Sequence, residues 1–188
     1  MSKREREGAA ADTKRWFVIG TIRRLARQED GTAAVEFGIV ALPFLALVFA
    51  FIETALVFFA SQVLETAAAD SARLIMTGQA QMQGLTKTTF KDKVCSRIFG
   101  LFDCQSGVHV DVQTFENFGA VNLQKPLDED GKLDTSGFKF VPGGPEQIVV
   151  VRLIYQWPTF VSLLGLSNMA GNHRLMMATA AFRNEPYQ

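Results

Sequence analysis

Gly31-Thr32-Ala33-Ala34-Val35-Glu36-Phe37 runs directly into GIVALPFLALVFAFIETALVFFA, which ends at Ala60. From Phe37 to Ala60 there are 24 residues and a single charge, Glu53. That passes the roughly 20 residues a helix needs to cross about 30 Å of hydrocarbon. Apolar residues recur on every helical face, which excludes a helix lying flat on a surface. A helix buried in a soluble core would need a large domain around it, and 188 residues leave little room for one. Pro43 removes one backbone donor and favours a bend, which membrane helices tolerate. Glu53 stands out as an intramembrane or interfacial acid, and such a group must find a partner, a proton or the headgroup region.

Upstream, Asp30 and Gly31 interrupt any helix arriving from the N-terminus, and Thr32 can cap a new one. Glu36 then falls in the first turns, where a carboxylate interacts well with the positive helix end. Residues 1–30 hold eight Lys/Arg and five acids, a net charge of +3. The whole chain balances at 19 against 19, so the remainder carries eleven bases against fourteen acids, a net −3. A basic arm before an apolar helix keeps the N-terminus in the cytoplasm and sends the rest across the inner membrane. Within the arm, Trp16, Ile19, Ile22 and Leu25 are spaced as on one face of a basic surface helix. A plain basic tail that only sets topology is the alternative reading. No nucleic-acid-binding motif surrounds these bases, so no nucleic acid is expected as a partner.

The junction resembles that of prepilins in the type IV superfamily. These carry a basic leader, a glycine, four residues, a glutamate, an aromatic residue and a hydrophobic helix. The tight-adherence (Tad/Flp) pili use Gly-xxxx-Glu-Tyr; Gly31, Glu36 and Phe37 occupy those places, with Phe37 standing for the tyrosine. The stretch GTAAVEFGIVALP from Gly31 to Pro43 looks most like the TadE-like pseudopilins of that system. The likeness continues through a cysteine pair to Ala181-Phe182-Arg183-Asn184-Glu185-Pro186-Tyr187. The resemblance implies cleavage by a prepilin peptidase between Gly31 and Thr32, which makes Glu36 the fifth mature residue. It also implies that Glu36 and Phe37 form the recognition and assembly motif, with other Tad/Flp pilins and pilus assembly proteins as partners. Left uncut, the same stretch is a signal anchor. Ala67-Ala68-Ala69 fits the small-residue pattern of signal peptidase, but the apolar run is far longer than a secretory signal needs.

Beyond the membrane segment, alanine-rich sequence continues the helix to about Gly84, with Val63, Ala67, Leu74, Ile75 and Met82 as its apolar stripe. Asp70 and Arg73 are spaced to pair along it. Cys95 and Cys104 are the only cysteines. An even count outside the cytoplasm argues for a disulfide. Zinc with His109 and His173 is the alternative, although Cys-x8-Cys matches no standard finger. Val108, Val110 and Val112 alternate with His109, Asp111 and Gln113, as in a strand with one buried face. Ile148–Trp157, with Arg152 its only charge, reads as a central strand. Arg174–Arg183 reads as a last strand, with a helix as the other option. Lys125–Asp134 is similar to a calcium loop but lacks its first and twelfth ligands, and reads as a solvated turn. Phe160–Leu166 is an apolar stretch suited to the core, the membrane or a partner.

The expected fold is therefore α+β: a long N-terminal transmembrane helix continuing into an exported domain with a small antiparallel sheet. The expected divisions are a cytoplasmic leader at 1–31, the membrane helix at 32–60, its exported continuation at 61–84 and a disulfide-containing domain at 85–188. No nucleophile elbow, phosphate-binding glycine loop or metal signature is present. The sequence therefore predicts no enzyme, cofactor, metal or small-molecule substrate.

Overall fold

The computed structural model describes residues 32–98, 100, 103–160 and 165–187. The basic leader with Gly31, and most of the Phe160–Leu166 stretch, lie outside the described residues. The chain divides into two units, Met1–Phe49 and Ala50–Gln188.

One helix, α1 (Thr32–Met76), begins in the first unit and ends in the second. In the first unit no described residue is buried; Val35, Phe37, Ile39, Val40, Leu42, Phe44, Leu45, Leu47 and Phe49 are all exposed. Apolar residues on every face with no protein against them suit a hydrocarbon surrounding. Thr54 and Ser61 interrupt the apolar run, and each donates its hydroxyl to the carbonyl four residues back, at 2.8 Å and 3.0 Å. That satisfies them within the helix itself.

In the second unit α1 becomes one-sided. Glu53, Val57, Ala60, Leu64, Ala67, Ala68, Ser71, Ala72 and Ile75 are buried at helical spacing. Five of the nine are alanine or serine. The packed face thus starts at Glu53, earlier than the expected division at residue 61. Of the expected stripe, Ala67 and Ile75 are buried and Val63 and Leu74 partly so, whereas Met82 is exposed.

α1 stops at Met76, short of the expected Gly84. Gly78 has φ +75°, a left-handed conformation that closes helices and that only glycine adopts without cost. Its N–H donates to Ile75 O at 3.0 Å. A side chain at Gly78 would also run into the Tyr187 ring. Two short helices follow, α2 (Gln79–Met82) and α3 (Lys87–Cys95), the second opened by a capping box between Thr86 and Thr89. α4 (Cys104–Gly107) comes next.

Three strands form an antiparallel sheet in the order β1-β2-β3: β1 (His109–Phe115), β2 (Ile148–Pro158) and β3 (His173–Arg183). Val110 pairs with Leu153, which pairs with Ala178. These side chains, with Val108, Val112, Val149, Val151 and Met176, share one core with the buried face of α1 and with Phe90 and Val94 of α3. Arg174–Arg183 is therefore a strand. β-branched residues dominate β2, and two partner strands satisfy its backbone on both edges.

β2 runs alongside α1 over matching lengths. Its Ile148 end lies near the end of α1, because Asn184 N–H donates to Gln147 O at 2.9 Å and Glu185 N–H to Met76 O at 2.8 Å. Its Pro158 end reaches Glu53. Ten strand steps cover roughly 33 Å, and Glu53 to Met76 covers roughly 35 Å of helix.

The second face of the sheet is also covered, where the sequence suggested a wet one. Ile148, Val150, Ile154 and Asp111 are buried there. The long β1–β2 connection lies over them: Lys139 N–H donates to Asp111 Oδ1 at 2.9 Å, and Arg152 Nη1 donates to Gln124 O at 3.0 Å. Within that connection, Lys125–Asp134 is a tight turn. Lys132 N–H donates to Asp128 Oδ1 at 2.7 Å, so the aspartate serves the turn itself.

Candidate functional site

The residues singled out in the sequence separate into an exposed helix start and a buried helix midpoint. Thr32 is the first residue of α1, and Glu36 and Phe37 lie one turn in. Phe37 is 75% exposed and Glu36 is exposed. Among the described residues none covers this turn, so its apolar side chains and its carboxylate are exposed. Gly31, the other half of the expected cleavage pair, lies outside the described residues.

Glu53 is different. It is only 5% exposed, and its Oε1 accepts the N–H of Phe160 at 2.7 Å. A carboxylate accepting a backbone N–H makes a strong, charge-assisted bond. The partner comes from the turn after β2, more than a hundred residues downstream. Sequence spacing could not reveal it, because the partner is a main-chain group that any residue type could supply. Glu53 thus fastens the Pro158 end of the sheet to the helix.

Cys95 and Cys104 form a disulfide with Cα atoms 5.6 Å apart. It joins the end of α3 to the start of α4 and leaves neither thiol available for zinc. Around it, Lys91 Nζ donates to Gln105 O at 2.7 Å, and Gln105 Nε2 donates to Asp92 Oδ1 at 3.1 Å. Asp103 caps α4 by accepting from Ser106, and these hydrogen bonds hold its carboxyl below the usual range. Arg97 reaches Asp70 at 3.9 Å, so Asp70 pairs across to this segment and not with Arg73 as its spacing suggested.

The buried ion pair of the sheet, Arg152 with Asp111, is structural. Arg152 Nε and Nη2 donate to Asp111 Oδ2 at 3.0 Å and 2.6 Å. A lone arginine in a β-branched strand and an aspartate in an alternating one were the available signals. Only the register, Asp111 opposite Arg152, joins them. A groove of about 320 Å³ beside them is lined by Gln113, Gln124, Lys125, Asp134 and Phe138. Arg152 has already committed Nε, Nη1 and Nη2 to protein acceptors, which leaves little with which to hold a ligand. His109 is partly buried, and burial, with Lys91 and Lys87 nearby, pushes its pKa down. Among the described residues no three His, Cys, Asp or Glu side chains converge as metal ligands.

The alternative cut after Ala69 would be destructive. Ala67 and Ala68 are buried in the core, and the cut would strip the domain of Glu53, Val57, Ala60 and Leu64 as well.

Residues 31–73 match the model of the TadE-like protein family. The matched region opens at the glycine of the junction and runs to within one turn of the end of α1. No curated protein and no solved structure matches the chain. The membrane-proximal helix is therefore TadE-like, which relates the chain to the pilin-like, membrane-associated proteins of the Tad pilus. The described structure adds a helix long and apolar enough to cross a membrane.

Proposed function

From a TadE-like helix, we propose that the protein is a minor pilin or pseudopilin: a structural, non-enzymatic subunit in assembly of a Tad (Flp type IVb) pilus used for surface adhesion. Prepilin peptidase removes the basic leader after Gly31, and Thr32 becomes the N-terminus. The helix is held in the inner membrane with its start at the cytoplasmic side. The domain beyond Glu53 stands outside the cytoplasm, where its disulfide is stable.

The observation that carries this reading is the uncovered first turn of α1. Glu36 sits there between lipid-suited residues, exposed and with no described residue packed over it. A carboxylate in such a setting is costly unless a cation meets it. The new ammonium at Thr32 of a neighbouring subunit, or of another Tad pilin, is such a cation. Other pilin helices would then cover the exposed apolar faces, and the exported sheet would meet the remaining assembly proteins.

Glu36→Ala tests the pairing. The variant should still be processed and stay in the membrane, yet fail to support pili. Normal piliation with this variant would remove Glu36 from assembly. Export without processing would favour an uncleaved anchor whose domain binds other envelope proteins.

A further inference from the structure

We propose that Phe160 is a second membrane contact, inserted into the interface of the outer leaflet beside the helix of its own domain. This rests on the reading of α1 as membrane-spanning. Phe160 is 81% exposed, more than any other large apolar side chain among the described residues. A phenyl ring so exposed gains by burial in apolar surroundings, and phenylalanine is among the residues that membrane-surface elements bury at the headgroup–acyl boundary.

Its height along the helix is fixed by its own backbone. The 2.7 Å bond from Phe160 N–H to Glu53 places it where α1 passes from fully exposed to packed. Thr32–Ile52 covers roughly 31 Å at 1.5 Å per residue, close to the hydrocarbon thickness. Glu53 and Phe160 then lie at the outer boundary. Phe51 and Ile52 are exposed on the helix beside this level, and Leu56, Phe58 and Phe59 are exposed within about two turns beyond it, so Phe160 extends an apolar girdle that is already there.

Arg174 stands at this same end, paired with Trp157, but the exposed Glu65 lines a pocket with it and the acidic turn around Gly131 is tied to Ala170, so the contact is made by apolar side chains and not by charge. With the helix as one anchor and Phe160 as the other, the membrane would set the tilt of the domain.

The test uses the full chain in phosphatidylcholine/phosphatidylglycerol vesicles at low protein-to-lipid ratio. A spin label is placed at Phe160→Cys, with Phe44→Cys and Phe118→Cys as references; the native cysteines are engaged in their disulfide. Accessibility to oxygen, which concentrates in lipid, is compared with accessibility to a water-soluble nickel chelate. The expected oxygen-to-nickel ratio at 160 is several-fold above that at 118 and below that at 44. A ratio at 160 equal to that at 118 would overturn the contact. Shielding from both reagents would overturn it too, by showing protein over Phe160. A label at 44 exposed to nickel would instead sink the spanning reading, and this proposal with it.

Discussion

Asp111→Leu should be among the most damaging single changes in the C-terminal domain. Asp111 is 1% exposed and accepts from Arg152 Nε and Nη2, from Lys139 N–H at 2.9 Å and from Gln113 Nε2 at 3.0 Å. Removing it strands a guanidinium that is itself almost wholly buried. Breaking a buried pair from one side costs about 3–5 kcal/mol, mostly from the charge left without a partner. The Lys139 N–H also loses its acceptor, which costs about 1–3 kcal/mol where water cannot replace it. For a domain whose total stability is of the order of 5–15 kcal/mol, that is a large share. Adding Arg152→Met removes the stranded charge. The double variant should therefore be more stable than Asp111→Leu alone, with the Lys139 and Gln124 groups accounting for most of the remaining loss. Urea unfolding of the full chain in detergent micelles, followed by near-ultraviolet circular dichroism, measures all three variants. A loss below about 1 kcal/mol for Asp111→Leu would refute the reasoning, as would a double variant whose loss equals the sum of the singles.

Three further outcomes are expected. Gly78→Ala should lower the melting temperature, because a left-handed φ costs a non-glycine residue about 1–2 kcal/mol and the new methyl meets the Tyr187 ring; Tyr187→Ala should recover only the steric part. Replacing both cysteines by serine should destabilise the domain by about 2–3 kcal/mol in the chain-entropy model, read as a shift in the urea midpoint. His109 has its pKa lowered by burial, so the unfolded chain takes up the proton first. The stability tied to neutral His109 is complete above about pH 6.5, its unfolded value, and falls as pH drops toward the lowered folded value. His109→Gln should flatten that part of the profile between pH 7.5 and 5.

Much of the architecture was legible because it rests on periodicity. Twenty-four residues with one charge make a helix long and apolar enough to cross a membrane, and IVVVRLIYQW has the composition of a central strand. The cysteine pair followed from parity and compartment. What escaped was set by tertiary register. Helix propensity favoured continuing to Gly84, yet the chain turns at Gly78 because Tyr187, from the far end of the sequence, packs on it. Asp111 looked solvent-facing, since alternation reports which residues share a face and not whether a loop later covers the second one. Glu53 looked like an acid in or near lipid. It turns inward because the turn after β2 brings a backbone N–H to it, and no side-chain pattern encodes that. At the candidate site, the junction residues were legible as a motif. Their outward presentation depends on the absence of any packed partner, which only the fold displays.

On the proposed reading, α1 starts as a prepilin helix and is cut to a mature N-terminus. Intact mass and N-terminal sequencing of the protein from native membranes, with and without prepilin peptidase, test it most directly. The expected result is a start at Thr32 that depends on the peptidase. A start at Met1 or Ser2 in the presence of the peptidase would contradict it and leave Glu36 without the neighbouring ammonium on which its assembly role depends.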